Sequence, residues 1–310
     1  MDTRQTWLIT RYCSRYSVRG GVGLVFLLLS LTFGLMVAHI TLQPVEMISK
    51  QVQELMVDKD PDEITEVVLD RLVEQATPAV AWVLSKRDTG DDDVDRAESK
   101  SADEWASYLL RDRPAMLSAI FLILMFGWPL IVAFGAFDLY AGDISSRQLR
   151  YQLLRADRAS IFFGRLFGTL VTFTLVLILL GATVSLYMAA KLPLYEFGEL
   201  MSWTVYGVCA LFIVTLPYVA LCSWISASIG GSFASLSIVV LIIGGVPLIA
   251  MFGRMQAESA GYINYLLPWG FQTRLFHHEP SQVALAVGGC AVQTVFFGWL
   301  GYRKFMRRDL

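Results

Sequence analysis

The chain has 310 residues, of which 55% are hydrophobic and only 17% are charged, and its mean hydropathy is +0.54. These values are typical of a polytopic membrane protein and exclude an ordinary soluble domain. No basic patch suggests a nucleic-acid partner, and the four cysteines lie outside the long polar segment, which excludes a disulfide framework there.

Six apolar runs are long enough to cross a bilayer, which needs about 20 mostly apolar residues. They predict spans at residues 20–40, 114–137, 166–190, 201–229, 232–252 and 282–301. Only Gly230 and Gly231 separate the fourth span from the fifth, which predicts a tight helical hairpin. The first run is long for a signal peptide, so we interpret it as a retained anchor. The predicted fold class is an all-α polytopic membrane protein with six transmembrane helices.

Basic residues cluster in the N-terminal segment 1–19, in the loop 138–165 and in the tail 302–310. Six spans place these three regions on one side of the membrane, and the positive-inside rule makes that side cytoplasmic. We therefore expect an integral membrane protein of the cell inner (plasma) membrane, with both termini in the cytoplasm. Residues 41–113 and 253–281 are expected on the other side.

The segment 41–113 contains 18 of the 27 acidic residues of the chain. Asp60 and Ser101 each stand where a helix N-cap is expected, which predicts a mostly helical extracytoplasmic insertion. Residues 88–100 between them have no apolar period, and we interpret them as a solvated, mobile loop. Calcium binding is the alternative, but the spacing does not match an EF-hand loop, so no metal site is predicted.

The last five predicted spans contain no Asp, Glu, Lys, Arg or His. Ion-driven transporters mark their pathway with such groups, and intramembrane metalloproteases need them as ligands, so both classes are disfavoured. The adjacent His277 and His278, beside Glu279, are interpreted as surface or interfacial residues rather than metal ligands. We predict no catalytic residue, no metal and no cofactor. The chain also lacks a G-x-x-x-x-G-K-[ST] phosphate loop, so any ATP is bound by a partner.

Between the second and third spans lies the polar stretch FDLYAGDISSRQLRYQLLRADRASIFFGR, which contains five arginines. Read as one continuous helix, residues 147–168 form an apolar stripe of Leu149, Leu153, Leu154, Ile161, Phe163 and Leu166. The arginines Arg147, Arg150, Arg158 and Arg165 can then face water and headgroups. This pattern predicts an amphipathic element at the cytoplasmic interface. The alternative is a plain connector whose arginines only satisfy the positive-inside rule.

In this stretch the sequence resembles the type-2 ATP-binding-cassette (ABC) permeases of the exporter class. That family has an acidic residue after the second span, a Leu-Leu pair and an R-x-x-I-x-x-G-K pattern leading into the third span. The matching residues here are Asp143, Leu153, Leu154, Arg158, Ile161, Gly164 and, in the place of the lysine, Arg165. The family's usual proline before the conserved arginine is replaced near Ala156. In motif the resemblance covers about 30 residues, and in topology it covers most of the chain.

The resemblance implies that two membrane subunits pair and that separate ATPase subunits dock on the element between the second and third spans. The implied ATPase-coupling residues are Asp143, Arg147, Arg150, Arg155, Arg158 and Arg165. The second and fifth spans would line the dimer seam and the transport pathway, with Phe126, Trp128, Pro129, Ser235, Gly244 and Gly245 near it. The alternative is that the small residues of the fifth span pack against the fourth span of the same chain. The loop 253–281 is similar to the family's re-entrant helices.

The predicted function is that of a permease subunit in an ATP-driven ABC exporter, working as a homo- or heterodimer with separate ATPase subunits. The acidic insertion is a candidate site for an extracytoplasmic partner. The alternative is an ABC-like membrane scaffold that recruits extracytoplasmic partners, or transmits force to them, without transporting a substrate. An intramembrane enzyme is a third hypothesis, which lacks catalytic groups. The charge-free spans favour a lipid-like or hydrophobic cargo over an ion.

Overall fold

A computed structural model of the chain describes residues 2–19, 21–55, 61–84, 92–192, 195–254 and 263–308. Every regular element in these ranges is helical, and six of the described helices are long and apolar enough to cross a membrane. They indicate an integral membrane protein. The six segments are Gly23–Gln53, Ala115–Ser145, Arg158–Lys191, Phe197–Ser228, Ser232–Ala250 and Pro280–Arg307.

The helices are numbered in chain order. They are α1 (Thr3–Arg19), α2 (Gly21–Leu55), α3 (Pro61–Leu84), α4 (Asp92–Leu110), α5 (Ala115–Ala136), α6 (Ala141–Ser145), α7 (Gln148–Leu153), α8 (Arg158–Lys191), α9 (Phe197–Ser228), α10 (Ser232–Arg254), α11 (Trp269–Gln272) and α12 (Pro280–Arg307). A 3-10 helix, Thr273–Phe276, follows α11 directly.

The centre of the bundle is formed by α5 and α9, because two thirds of the most apolar part of each is buried against other helices. Two tryptophans bond these helices to each other. Trp128 donates from Nε1 to Thr215 Oγ1 at 2.8 Å, and Trp203 donates to Ser118 Oγ at 2.9 Å. Hydrogen bonds between helices in a membrane contribute about 0.6 kcal/mol each, so these bonds mainly fix the register of α5 against α9.

Several spanning helices are longer than the apolar runs that predicted them. The helix α8 has 34 residues. At 1.5 Å per residue it is about 51 Å long, whereas the hydrocarbon core is about 30 Å thick. Its first turns, which carry Arg158 and Arg165, therefore extend beyond the hydrocarbon core. The apolar run marks only the part of the helix that lipid requires to be apolar.

One end of the bundle carries α1, the short helices α6 and α7, and the end of α12. Asp157, just before α8, donates its backbone N–H to Gln5 Oε1 of α1 at 3.4 Å. Arg158 donates to the main-chain oxygen of Arg308 at 3.0 Å. The N-terminal helix, the end of α12 and the connection between α5 and α8 therefore lie together.

At the opposite end of the bundle α3 packs on α4 and on α2, and α4 also packs on α5. Trp105 of α4 donates from Nε1 to the carbonyl oxygen of Phe276 at 2.7 Å, and its ring lies 4.6 Å from that of His277. The insertion is thereby attached to the loop that precedes α12. The expected N-cap residue Asp60 lies outside the described residues.

The expectation of a helix start at Ser101 is wrong, because α4 begins at Asp92 and Ser101 lies in its middle. Of the loop expected at residues 88–100, residues 92–100 are helical and residues 88–91 lie outside the described part of the chain. A helix needs an apolar period only where it packs on other elements, so the lack of such a period does not exclude a helix.

Candidate functional site

Residues 137–158, here called the crossing segment, connect α5 to α8 across one end of the bundle. Its first helix, α6, has only five residues. A helix this short is unstable alone and needs tertiary contacts. The fully buried Ser226, near the end of α9, supplies one: its Oγ accepts the backbone N–H groups of Tyr140 at 2.8 Å and Ala141 at 2.9 Å.

The crossing segment is also bonded to the first turn of α10. One carboxylate oxygen of Asp138 accepts the backbone N–H of Gly142 at 2.6 Å and the hydroxyl of Ser232 at 2.7 Å. The hydroxyl of Ser235, one turn further, donates to the carbonyl oxygen of Phe137 at 2.8 Å. The carboxylate therefore stabilises the start of α6 and joins it to α10.

A third attachment runs to α8 through Arg165. Its guanidinium pairs with the carboxylate of Asp143 and donates to Gln152 Oε1 at 3.0 Å and to the Leu139 carbonyl oxygen at 2.9 Å. The side chains of Asp143 and Arg165 are only 23% and 14% exposed. Additional hydrogen bonds of this kind are what a largely desolvated ion pair needs to be stabilising.

The fourth attachment runs to the end of α12. Arg158 donates from Nη1 to the carbonyl oxygen of Met306 at 2.9 Å and to that of Arg308 at 3.0 Å. Carbonyl groups at a helix C-terminus lack intrahelical partners and favour a cation. The fully buried Tyr140 adds a bond from its hydroxyl to the Phe162 carbonyl oxygen of α8 at 2.9 Å. The inner side of the crossing segment is thus fixed to α8, α9, α10 and α12.

The structure differs from the single continuous helix expected over residues 147–168. Arg147 has a left-handed backbone with φ of 58°, α7 ends at Leu153, and α8 begins at Arg158. The turn between α7 and α8 rotates the side chains out of the expected stripe. As a result Leu154 is 83% exposed, and Arg165, which was expected to face water, points inward.

The side of the crossing segment that points away from the bundle carries apolar and basic side chains together. Its members are Arg147, Arg150, Tyr151, Leu154 and Arg155, all of them exposed; we call them the exposed face. Tyr151 and Leu154 are 74% and 83% exposed. An open groove of about 480 Å³ borders Leu154 and reaches Gln5 of α1.

The six residues expected at a dimer seam do not share one surface. Trp128 and Pro129 are buried inside the chain, and Ser235 is buried and bonded to Phe137 at the end of α5. Phe126 is 39% exposed and stacks on Trp269 with ring centroids 6.2 Å apart.

Gly244 and Gly245 lie open on α10, since a Cβ at either position would meet no atom within 4 Å. They do not pack against α9, so the alternative that the small residues of the fifth span pack against the fourth span of the same chain does not hold at these two positions. Of the expected seam residues, these glycines and Phe126 remain accessible to a second subunit.

The two histidines of the last loop lie in the contact between the insertion and the bundle. Their rings stack with centroids 4.5 Å apart, and His277 Nδ1 accepts the backbone N–H of Glu279 at 3.0 Å. Burial lowers the pKa of His277, and the neighbouring His278 lowers it further. Within the described ranges no group of three or more His, Cys, Asp or Glu side chains could hold a metal.

Comparison with protein-family models and with curated proteins finds no match to this chain. The likeness to ABC permeases therefore rests on residues of the crossing segment and of the first turns of α8, and on the order of the apolar runs.

Proposed function

We propose that the chain is the membrane subunit of an ATP-driven transporter of the ABC exporter type. In this proposal the crossing segment receives a separate ATPase subunit and passes its movement to the spans. The observation that carries the proposal is that the segment has two different sides. The exposed face offers apolar and basic groups to a partner, while the inner side is bonded to the ends of four helices.

The inner attachments favour a role in transmitting movement. A displacement of the crossing segment without movement of the spans would break the bonds of Ser226, Asp138, Arg158 and Arg165. Neutral hydrogen bonds contribute about 1 kcal/mol each and bonds to charged groups about 1.5–3 kcal/mol. Moving α8, α9, α10 and α12 together with the segment keeps these bonds intact. A plain connector between two spans does not need them.

The exposed face also sets the chemistry of the partner. Full burial of a leucine side chain contributes about 1.5–3 kcal/mol, so Leu154 is suited to fill an apolar pocket. The arginines around it favour acidic groups at the rim of that pocket, which would guide docking and its orientation. Because Asp143 and Arg165 bond to each other, their contribution is to hold the segment in shape rather than to contact the ATPase.

A second permease subunit completes the proposal, since the last five apolar runs of one chain contain no charged residue that would mark a pathway. The accessible glycines of α10 allow close approach of another membrane helix. The cargo is proposed to be lipid-like or hydrophobic, because the spans offer it apolar surfaces.

The test is to purify the tagged full-length chain from its native membranes and to identify a co-purifying subunit that contains a phosphate loop and hydrolyses ATP. Leu154→Ser should reduce its association at least tenfold, which corresponds to about 1.4 kcal/mol. Val67→Ser is the matched control, since Val67 is a 54% exposed apolar residue on α3. Equal recovery of the ATPase with both variants would overturn the proposed docking.

The scaffold alternative is favoured by a separate observation, the attachment of α4 to the loop before α12 through Trp105. This contact could carry movement of the bundle to a partner on the insertion. The two functions differ in their response to cargo. If the chain is a transporter subunit, ATP hydrolysis by the complex in proteoliposomes rises when a transported compound is added. If it is a scaffold, ATP hydrolysis rises when a protein binds to α3 and α4.

A further inference from the structure

The N-terminal helix α1 has its amphipathic character reversed relative to a helix on a water-facing surface. The side turned toward the bundle carries the buried Thr6 and Thr10, together with Ile9 and Cys13, which face α8. The side turned away carries Trp7 and Leu8, which are 61% and 55% exposed. A helix beside water normally shows the opposite arrangement.

Basic residues complete this outward side. The exposed arginines Arg4, Arg11 and Arg15 lie on the same side as Trp7 and Leu8, at helical spacing. The helix itself contains no Asp or Glu. We call these five residues the outward face of α1. Its apolar and cationic composition matches a surface that is apolar beneath and anionic above.

The inward side explains how α1 is held. A Cβ at Gly164 of α8 would lie 2.7 Å from the Ile9 side chain, and one at Gly168 would lie 2.8 Å from Cys13 Cβ. The two glycines thus let α1 approach α8 closely, as small residues four apart do in membrane helix pairs. The hydroxyl of Thr10 bonds within α1, to the carbonyl oxygen of Thr6 at 2.9 Å, and so makes no demand on α8.

The contact with α8 also sets the depth of α1. Ile9 meets Gly164, two residues before the apolar run of α8 begins at Leu166. Trp7 and Leu8, next to Ile9, therefore lie where the hydrocarbon gives way to the headgroups. Tryptophan is enriched at this depth, and arginine extends from it to phosphate groups.

We propose that the outward face of α1 lies in the headgroup layer and binds a bilayer surface containing anionic phospholipids. Trp7 and Leu8 insert beneath the headgroups, and the three arginines bind lipid phosphates. Charge complementarity selects this occupant, because a zwitterionic lipid surface has no net negative charge to balance the three arginines. The inference does not depend on the proposed function.

The test places a diazirine amino acid at position 8 of the full-length chain in nanodiscs of equal phosphatidylcholine and phosphatidylglycerol. After irradiation, mass spectrometry identifies what is attached. We expect phosphatidylglycerol adducts to exceed phosphatidylcholine adducts about fivefold or more, since each basic residue near an anionic surface changes binding by about fivefold. The same probe at Leu241, which is 72% exposed on α10, should label both lipids equally. Placed at the exposed Gln148 of α7, it should label neither lipid.

Replacing all three arginines of the outward face by glutamine should bring the ratio of the two adducts close to one. The matched control removes the same charge from the crossing segment by changing Arg147, Arg150 and Arg155 to glutamine, and should leave the ratio unchanged.

Lipid adducts at position 8 without headgroup preference would overturn the assignment to anionic lipid. Attachment to a second copy of the chain or to another protein, in place of lipid, would show that a protein covers this face. That result would overturn the proposal as well.

Discussion

Ser226→Ala is the perturbation that most directly tests how the crossing segment is held. Its hydroxyl accepts two backbone N–H groups, those of Tyr140 and Ala141, at 2.8 and 2.9 Å, in a fully buried position. Alanine removes the acceptor with almost no change of volume. Both donors then lose their partner at the start of α6, whose five residues cannot hold the helix by themselves.

The size of the effect follows from the number of orphaned donors. A buried donor left without a partner costs about 1–3 kcal/mol. Two donors that share one acceptor should together cost about 2–4 kcal/mol, because the segment can relax around both at once. At 1.4 kcal/mol per tenfold change, local opening of the segment becomes roughly 30-fold to 700-fold more frequent.

Hydrogen exchange of a peptide containing Tyr140 and Ala141 measures this opening, since local opening determines the exchange rate of protected amides. Ser228→Ala is the control, because that hydroxyl bonds only to the Trp224 carbonyl oxygen of its own helix. If Ser226→Ala exchanges no faster than Ser228→Ala, the hydroxyl does not anchor α6 and the reasoning is wrong.

Three further changes test other contacts. The pKa of His277 is lowered by burial, so the released loop binds more protons than the docked one. Docking of α4 should therefore be complete at pH values above the ordinary histidine pKa of about 6.5 and should weaken as the pH falls below that value. The weakening should be measurable as faster hydrogen exchange of the loop. A His277→Leu variant with the same pH dependence would contradict this. Gly168→Leu should detach α1 and cost about 1–3 kcal/mol by overpacking, seen as faster proteolysis at the arginines of α1. Gly198→Leu, where a Cβ meets nothing within 4 Å, should have no effect. For the topology, Lys100→Cys should react with an impermeant thiol reagent added outside cells and Ser145→Cys should not, and the reverse pattern would refute the orientation.

The membrane-spanning helices could be predicted from sequence because lipid imposes a composition rule that each span meets by itself. Run length also placed the boundary between the fourth and fifth apolar runs: α9 ends at Ser228 and α10 begins at Ser232. The rule says nothing about water-exposed parts of the same helices. For this reason the apolar runs did not predict that α2 continues to Leu55 or that α8 begins at Arg158.

The crossing segment could be predicted as a special element but not in its detail. A helical wheel assumes unbroken geometry, and the left-handed Arg147 together with the turn at Leu154 breaks it. The pairing of Asp143 with Arg165 joins residues 22 positions apart and has no local sequence pattern. The role of Ser226 is likewise tertiary, since it depends on where α9 ends relative to α5.

The outward face of α1 has a signal in the sequence. The arginines before the first span indicate the orientation of the chain, and they also form a local pattern. Their spacing around Trp7 and Leu8 indicates a surface helix. Conversely, Trp128 was expected at a seam because of its position in the second span, whereas its bond to Thr215 depends on the neighbouring helix.

The most direct measurement for the central claim is photo-crosslinking from the exposed face of the crossing segment in native membranes. A diazirine amino acid is placed at Tyr151, which is 74% exposed, and adducts are identified by mass spectrometry. The account predicts attachment to a subunit that contains a nucleotide-binding phosphate loop, and loss of that attachment in the Leu154→Ser variant. Adducts with lipid alone, from membranes in which a phosphate-loop subunit co-purifies with the chain, would contradict it.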